Sequence, residues 1–296
     1  VNAMTRNTTG SFEYGWTTAY GNTITSPGFL TGAEDSFRKA TITGLTPHKT
    51  YHFRVKAVNN TGTSYGRDLT FVTGSASSAY SGIGSHTIVV DSQGIVYTYG
   101  LNGVGQLGDG TTAPKLIPIR VPKGAYAGTT YLGDNPANPI ISVVAGYRHS
   151  VALAADGTMY AFGSNNNGQL GNNTLTTSLT PIRVLKGAYI GTTFLGDNPS
   201  NPIISIAAGA YYTSALAADG TIYSFGEGFY GQLGDGAFIQ RLTPVRALKG
   251  AYNGTTFLGD NLSNPIVKIS GGVFHTLAQT ANGNVFSMGY NNYGQL

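Results

Sequence analysis

Cysteine is absent from the chain, which excludes disulfides, thiol nucleophiles and cysteine-based zinc sites. Charge is scarce as well. Only 10% of residues are charged while 41% are apolar, so the chain can build a core rather than stay disordered. No stretch approaches the roughly 20 apolar residues of a membrane-spanning helix. A sustained helical period is also missing, which argues against an all-helical fold. The net charge of +4 is mildly basic, and without a concentrated basic face nucleic acid is not the expected partner. The chain opens at Val1 without a signal-peptide pattern, and an upstream segment is expected to precede it.

Glycine and tyrosine are abundant instead, at 43 and 19 residues. Glycine supplies the positive φ that tight hairpin turns require, so this composition suits many short strands. A chain of 296 residues is long enough for two domains.

The main signal is a repeat. Gly105-Gln106-Leu107-Gly108 returns as Gly168-Gln169-Leu170-Gly171, as Gly231-Gln232-Leu233-Gly234 and as Gly294-Gln295-Leu296, a period of 63 residues. Lys123-Gly124-Ala125-Tyr126 and Leu132-Gly133-Asp134-Asn135 recur at the same spacing. Self-similarity at this length implies stacked units, each burying a face against its neighbours. Within one unit the apolar run Ile140–Ala145 and the segment Ser150–Ala154 read as strands, joined by the turn at 146–149. Asp156-Gly157 is a hairpin signal from which Thr158–Phe162 returns. Pro181–Leu185 is expected as a fourth strand, with proline at its start. Four antiparallel strands per repeat make a propeller blade. The expected fold class is therefore all-β.

The pattern running from Gly146 through His149, Ser150, Asp156-Gly157, Tyr160 and Phe162 to Gly168-Gln169-Leu170-Gly171 resembles the regulator of chromosome condensation repeat. That resemblance covers residues 80–296 and implies a β-propeller, usually of seven blades. About three and a half units are expected here, so the chain is expected either to be a piece of a longer protein or to be completed by another chain. The long connection 187–202 lengthens the repeat relative to the family, and Tyr212 stands where other copies have His86, His149 and His275.

Residues 1–73 have no such echo. Leu45-Thr46-Pro47 followed by Tyr51, Phe53 and Val55 resembles the end of a fibronectin type III domain, with Tyr51 as its tyrosine corner. Phe12-Glu13-Tyr14-Gly15 and Leu69-Thr70-Phe71 resemble bacterial surface versions of that domain. The resemblance implies a sandwich whose first strands precede Val1, and residues 74–79 read as a linker.

No catalytic, cofactor or metal site is expected. Every acid after Tyr80 except Glu227 occupies a repeated turn or loop position, where aspartate bonds nearby backbone. His86, His149 and His275 share one repeat position, a blade apart, and read as core or interblade groups rather than ligands of one metal. The GxGxxG strings at 103–108 and 226–231 have no following helix and are coincidental. Arg120, Lys123, Arg183, Lys186, Arg246 and Lys249 recur as basic pairs, which Asp134, Asp197 and Asp260 are expected to neutralise.

Antiparallel strands put the 146–149 turn and the 164–168 tip at one end of a blade, and the long connection at the other. The long connection is nearly identical between copies, with Tyr126, Tyr189 and Tyr252 expected to stack on one another. The opposite tips vary. Variable loops on a rigid scaffold are where binding specificity resides. The candidate partner-binding residues are Tyr147, Arg148, Tyr211, Tyr212, Glu227, Phe229, Tyr230, Phe274, Tyr290 and Tyr293. The expected function is a non-catalytic interaction or adhesion protein, extracellular or at the cell surface, that holds a protein or glycan partner. Alternatives are a structural subunit of a surface assembly or filament, with self-assembly, and a guanine-nucleotide exchange factor-like regulator.

Overall fold

The computed structural model describes residues 7–30, 40, 42, 45, 50–72, 79–81 and 84–296. The chain divides into two compact units, 1–75 and 76–296. Among the described residues all regular structure is strand.

The first unit is one antiparallel sheet of β1 (Thr8–Gly15), β2 (Asn22–Leu30), β3 (Thr50–Asn59), β4 (Gly62–Tyr65) and β5 (Leu69–Val72). The order is β2-β1-β3-β4, with β5 also pairing β3. Glu13 lies opposite Arg54 and accepts hydrogen bonds from its guanidinium at 2.7 and 2.8 Å and from Lys56 Nζ at 3.0 Å. Tyr51 is buried at the start of β3. Thr46, Pro47 and His48 lie outside the described residues, and His52 pairs with Asp68 at 2.7 Å.

The second unit holds three four-stranded antiparallel sheets and one of three strands. The first blade comprises β6 (Ala79–Ser81), β7 (His86–Val90), β8 (Val96–Gly100) and β9 (Lys115–Arg120). The second comprises β10 (Ile140–Ala145), β11 (His149–Ala154), β12 (Met159–Gly163) and β13 (Ser178–Arg183). The third comprises β14 (Ile203–Ala208), β15 (Tyr212–Ala217), β16 (Ile222–Gly226) and β17 (Arg241–Arg246). The fourth has β18 (Ile266–Gly271), β19 (His275–Thr280) and β20 (Val285–Gly289). Among the described residues no sheet is shared between blades, and the first strands neighbour one another in succession, β10 beside β14 and β14 beside β18. This is propeller geometry. Of the expected linker, residues 74–78 lie outside the described residues, and Ala79 opens β6.

The cores sit between blades, and the two-residue period of a strand explains how. In the second blade Ala152, Ala154, Tyr160 and Phe162 join the cluster shared with the first blade. Their alternates Val151, Leu153, Met159 and Ala161 join the cluster shared with the third. Both faces of β11 and β12 are thus covered, and all their residues are buried. The last glycine of the Gly-Gln-Leu-Gly motif fits this packing. A Cβ at Gly171 would come within 2.8 Å of the Phe225 ring of the next blade.

Two expectations need correction. The fourth strand runs from Ser178 to Arg183, so Pro181 lies inside it rather than at its start. Pairing shifts between Ala161↔Ile182 and Gly163↔Ser178, and this irregularity on an edge strand accommodates the missing N–H. The Pro181 carbonyl accepts the N–H of Ala125 at 2.8 Å, latching this strand to the preceding connection. The connection tyrosines also do not stack on one another. Each packs edge-on against the next blade: Tyr126 on Tyr160 (5.4 Å), Tyr189 on Tyr223 (5.3 Å) and Tyr252 on Phe286 (5.5 Å). Equivalent rings lie a whole blade apart, so each meets the strand that follows it.

Candidate protein-binding face

The 146–148 turn and its counterparts at 209–211 and 272–274 are welded to the tips beside them. The tip N–H groups of Leu101, Ser164, Glu227 and Tyr290 donate to the carbonyls of Ser85, Arg148, Tyr211 and Phe274 at 2.8–2.9 Å. Neighbouring turns are also bonded across blades, Tyr147 N–H to Ala210 O and Ala210 N–H to Val273 O, both at 3.0 Å. Within each tip the motif glutamine folds back. Gln106, Gln169, Gln232 and Gln295 accept through Oε1 the N–H of Val104, Asn167, Tyr230 and Tyr293 at 2.9–3.0 Å. The motif leucines Leu107, Leu170 and Leu233 are fully buried beneath. The loops therefore form one rigid surface.

That surface carries a continuous run of aromatic rings. Tyr147 meets Tyr211 at 5.7 Å and Tyr211 meets Phe274 at 6.5 Å. Phe274 meets Tyr230 at 5.0 Å, Tyr230 meets Tyr290 at 5.1 Å, and Tyr290 meets Tyr293 at 6.1 Å. Arg148 lies over the Tyr147 ring at 5.4 Å. Tyr147, Tyr230 and Tyr293 are exposed, the last by 88%. Phe229 is half-exposed and makes none of these ring contacts.

Tyr212 does not belong with them. It is fully buried, because it occupies the histidine position, and this position forms an interblade clasp. His86 Nε2 lies 2.9 Å from Ser150 Oγ of the next blade, whose hydroxyl donates back to Gln106 O at 2.9 Å. The serine proton is thereby committed, so Nε2 carries the imidazole proton and Nδ1 is bare. His149, Thr213 and Gln169 O repeat the arrangement at 3.0 and 3.0 Å. Tyr212 replaces it with a hydroxyl donated to the His275 carbonyl and approached by Thr276 Oγ1 at 3.0 Å. Burial pushes the His86 imidazole down to about 4 and His149 to about 3, so both are neutral at pH 7.

The opposite end is internally occupied. Arg120, Arg183 and Arg246 lie over Tyr131, Phe194 and Phe257 at 5.3, 5.0 and 4.8 Å. Lys123, Lys186 and Lys249 donate to the carbonyls of Gly128, Gly191 and Gly254 at 3.1–3.2 Å. The recurrent aspartates do not neutralise these cations, contrary to expectation. Asp134 instead accepts the N–H groups of Thr129, Thr130 and Tyr131 and the Thr129 hydroxyl at 2.7–2.9 Å, and Asp197 and Asp260 are held likewise. The recurrence of an aromatic at one fixed offset after each arginine was the signal for this stacking. No group of three or more His, Cys, Asp or Glu that could hold a metal occurs among the described residues. Among the described residues no helix is long and apolar enough to cross a membrane.

Comparison with known proteins decides the family. The regulator of chromosome condensation (RCC1) repeat matches residues 93–153, 156–216 and 219–279. The chain belongs to the RCC1 repeat family. It is similar to the ultraviolet-B receptor UVR8 of Arabidopsis thaliana, 32% identical over 72% of the chain and 41% of the receptor. It is also similar to the RCC2 homolog of Danio rerio, 33% identical over 72% of the chain and 41% of that protein. The chain thus spans about two fifths of the length of these relatives. Among solved structures, human WBSCR16 shares the fold with a TM-score of 0.58 at 20% identity, covering 82% of this chain and 60% of that one. Prp20p of Saccharomyces cerevisiae, described with its binding properties to Gsp1p and histones, has a TM-score of 0.51 at 19% identity, covering 82% and 57%.

These relatives overturn the expectation of an extracellular or cell-surface adhesion protein. The repeat that matches is named for the regulation of chromosome condensation, and chromosomes lie inside the cell.

Proposed function

We propose that this RCC1-type propeller is a regulator that acts by binding a protein, in the manner of a guanine-nucleotide exchange factor. The observation that carries the reading is the run of aromatic rings across the second, third and fourth blades on a hydrogen-bonded, rigid surface. Tyrosine and arginine anchors on stiff loops bury much area at little entropic cost, which suits protein recognition. The Gsp1p binding described for Prp20p supports a guanine-nucleotide-binding protein as the partner class. Such a regulator works by differential binding and needs no catalytic group of its own.

The test is binding of the chain to Gsp1p, nucleotide-loaded and nucleotide-free, with release of a fluorescent guanine nucleotide followed in parallel. Tighter binding of the nucleotide-free form, lost in a Tyr230→Ala, Tyr290→Ala double variant of unchanged Tm, is the expected result. Binding indifferent to those rings, or no preference between forms, would discard the reading.

We further propose that the first unit is a fibronectin type III-like spacer. The sheet order β2-β1-β3-β4 and the buried Tyr51 at the start of β3 support this.

A further inference from the structure

Glu227 is the exception among the acids of the propeller. Asp91, Asp156 and Asp219 accept turn N–H groups at 2.9 Å. Asp109 and Asp235 pair with Lys115 at 3.2 Å and Arg241 at 2.6 Å, and the long-connection aspartates are saturated by amides. Glu227 has neither a cation nor a backbone N–H among the described contacts. Its carboxylate meets one side chain, the amide of Gln232, at 3.4 Å. At the same repeat position the other blades carry the uncharged Leu101, Ser164 and Tyr290.

Its backbone and its glutamine partner tie it to two ring-bearing residues. The Glu227 N–H is fixed to Tyr211 O at 2.9 Å. Gln232, fully buried, approaches the carboxylate with Nε2 and accepts the Tyr230 N–H with Oε1 at 2.9 Å, so it ties the acid to a ring-bearing residue. The Tyr230 ring lies 5.0 Å from Phe274, which lies 6.5 Å from Tyr211. Burial raises the carboxyl above its ordinary value. A half-buried carboxylate without a counter-charge, in the same tip as the ring-bearing Tyr230, is complementary to an organic cation that the π-faces of this surface also attract. A metal ion is a poor match, since it requires several ligands and no group of three or more His, Cys, Asp or Glu that could hold one occurs among the described residues.

We propose that Glu227, Tyr211, Tyr230 and Phe274 form a subsite that seats one lysine or arginine side chain of the protein partner. This rests on the protein-binding reading of the face. It is tested on the full chain with the capped peptides Gly-Ser-Arg-Ser-Gly and Gly-Ser-Lys-Ser-Gly, against their citrulline and glutamine counterparts, by NMR titration. The cationic peptides are expected to bind roughly tenfold tighter than the neutral ones and to shift the signals of Glu227, Tyr230 and Phe274. Both E227Q and E227S should abolish the preference at unchanged Tm, the second because serine already stands at this position in the second blade. No binding at millimolar peptide, no preference for the cations, or a preference retained in both variants overturns the subsite. Loss of protein binding on removal of Tyr230 and Tyr290, with no effect of E227Q on peptide or protein, would sink the subsite and leave the face standing.

Discussion

At the scale of single residues, the repeat position filled by His86, His149 and Tyr212 decides how the propeller responds to acid. Both imidazoles are neutral in the fold, with pKa values near 4 and 3, whereas in the unfolded chain they titrate near 6.5. Below that value the unfolded state binds more protons, so stability falls as pH drops from about 6.5 towards 4. The loss is on the order of 3 kcal/mol for each ring. The third blade shows the remedy: Tyr212 fills the same place against Thr276, as His149 does against Thr213. His149→Tyr is therefore expected to fold at pH 7 and to remove about half of the stability lost between pH 7 and pH 5. Urea unfolding at the two values measures this, and an undiminished loss would show that the proton goes elsewhere. A second window opens at lower pH. Burial opposes ionisation of Asp134, Asp197 and Asp260, but backbone amides and a threonine hydroxyl hold each down to about 2. Their contribution, complete above the usual carboxylate range, is lost as pH falls from about 4 towards 2.

At the scale of the element, Gly187 and Gly250 separate backbone strain from blade docking. They share a repeat position and have φ of 52° and 53°. A Cβ at Gly187 would collide with the Pro244 carbonyl of the next blade, whereas at Gly250 nothing lies within 4 Å. Gly250→Ala should cost about 1 kcal/mol, the strain of a left-handed alanine. Gly187→Ala should cost about 2 kcal/mol more, because the latch between its connection and β17 must move. Equal losses in chemical denaturation would mean that the latch contributes nothing. The latch also shows where reading strands from sequence stops. Turns marked by Asp-Gly and runs marked by β-branched residues were legible in Ile140–Ala145 and the hairpin after it. The edge strand was not, because Pro181 normally ends a ladder and here lies within an irregularity that only the pairing register reveals.

At the scale of the whole molecule, the repeat period made the propeller legible, and the contrast between constant and variable loops picked out the aromatic face. What stayed hidden was which rings meet. Tyr230 comes from the tip of one blade and Phe274 from the turn of the next, and their 5.0 Å contact depends on how blades are inclined to each other. Tyr212 was misplaced because its neighbour Tyr211 ends the surface turn, whereas Tyr212 opens β15, whose residues are all buried between blades. The same architecture governs how the chain comes apart. Because each core is shared by two adjacent blades only, stability is a sum of nearest-neighbour interfaces rather than one global quantity. The strands β11, β12, β15 and β16 are buried throughout, covered on both sides. Amide exchange is therefore expected to be slowest in the second and third blades, whose central strands are covered on both sides. Hydrogen-exchange mass spectrometry resolves these strands. Simultaneous exchange of all the blades would mean that the interfaces do not act independently, and the effects of His149→Tyr and Gly187→Ala would then spread across the propeller instead of staying at the junction of the second and third blades.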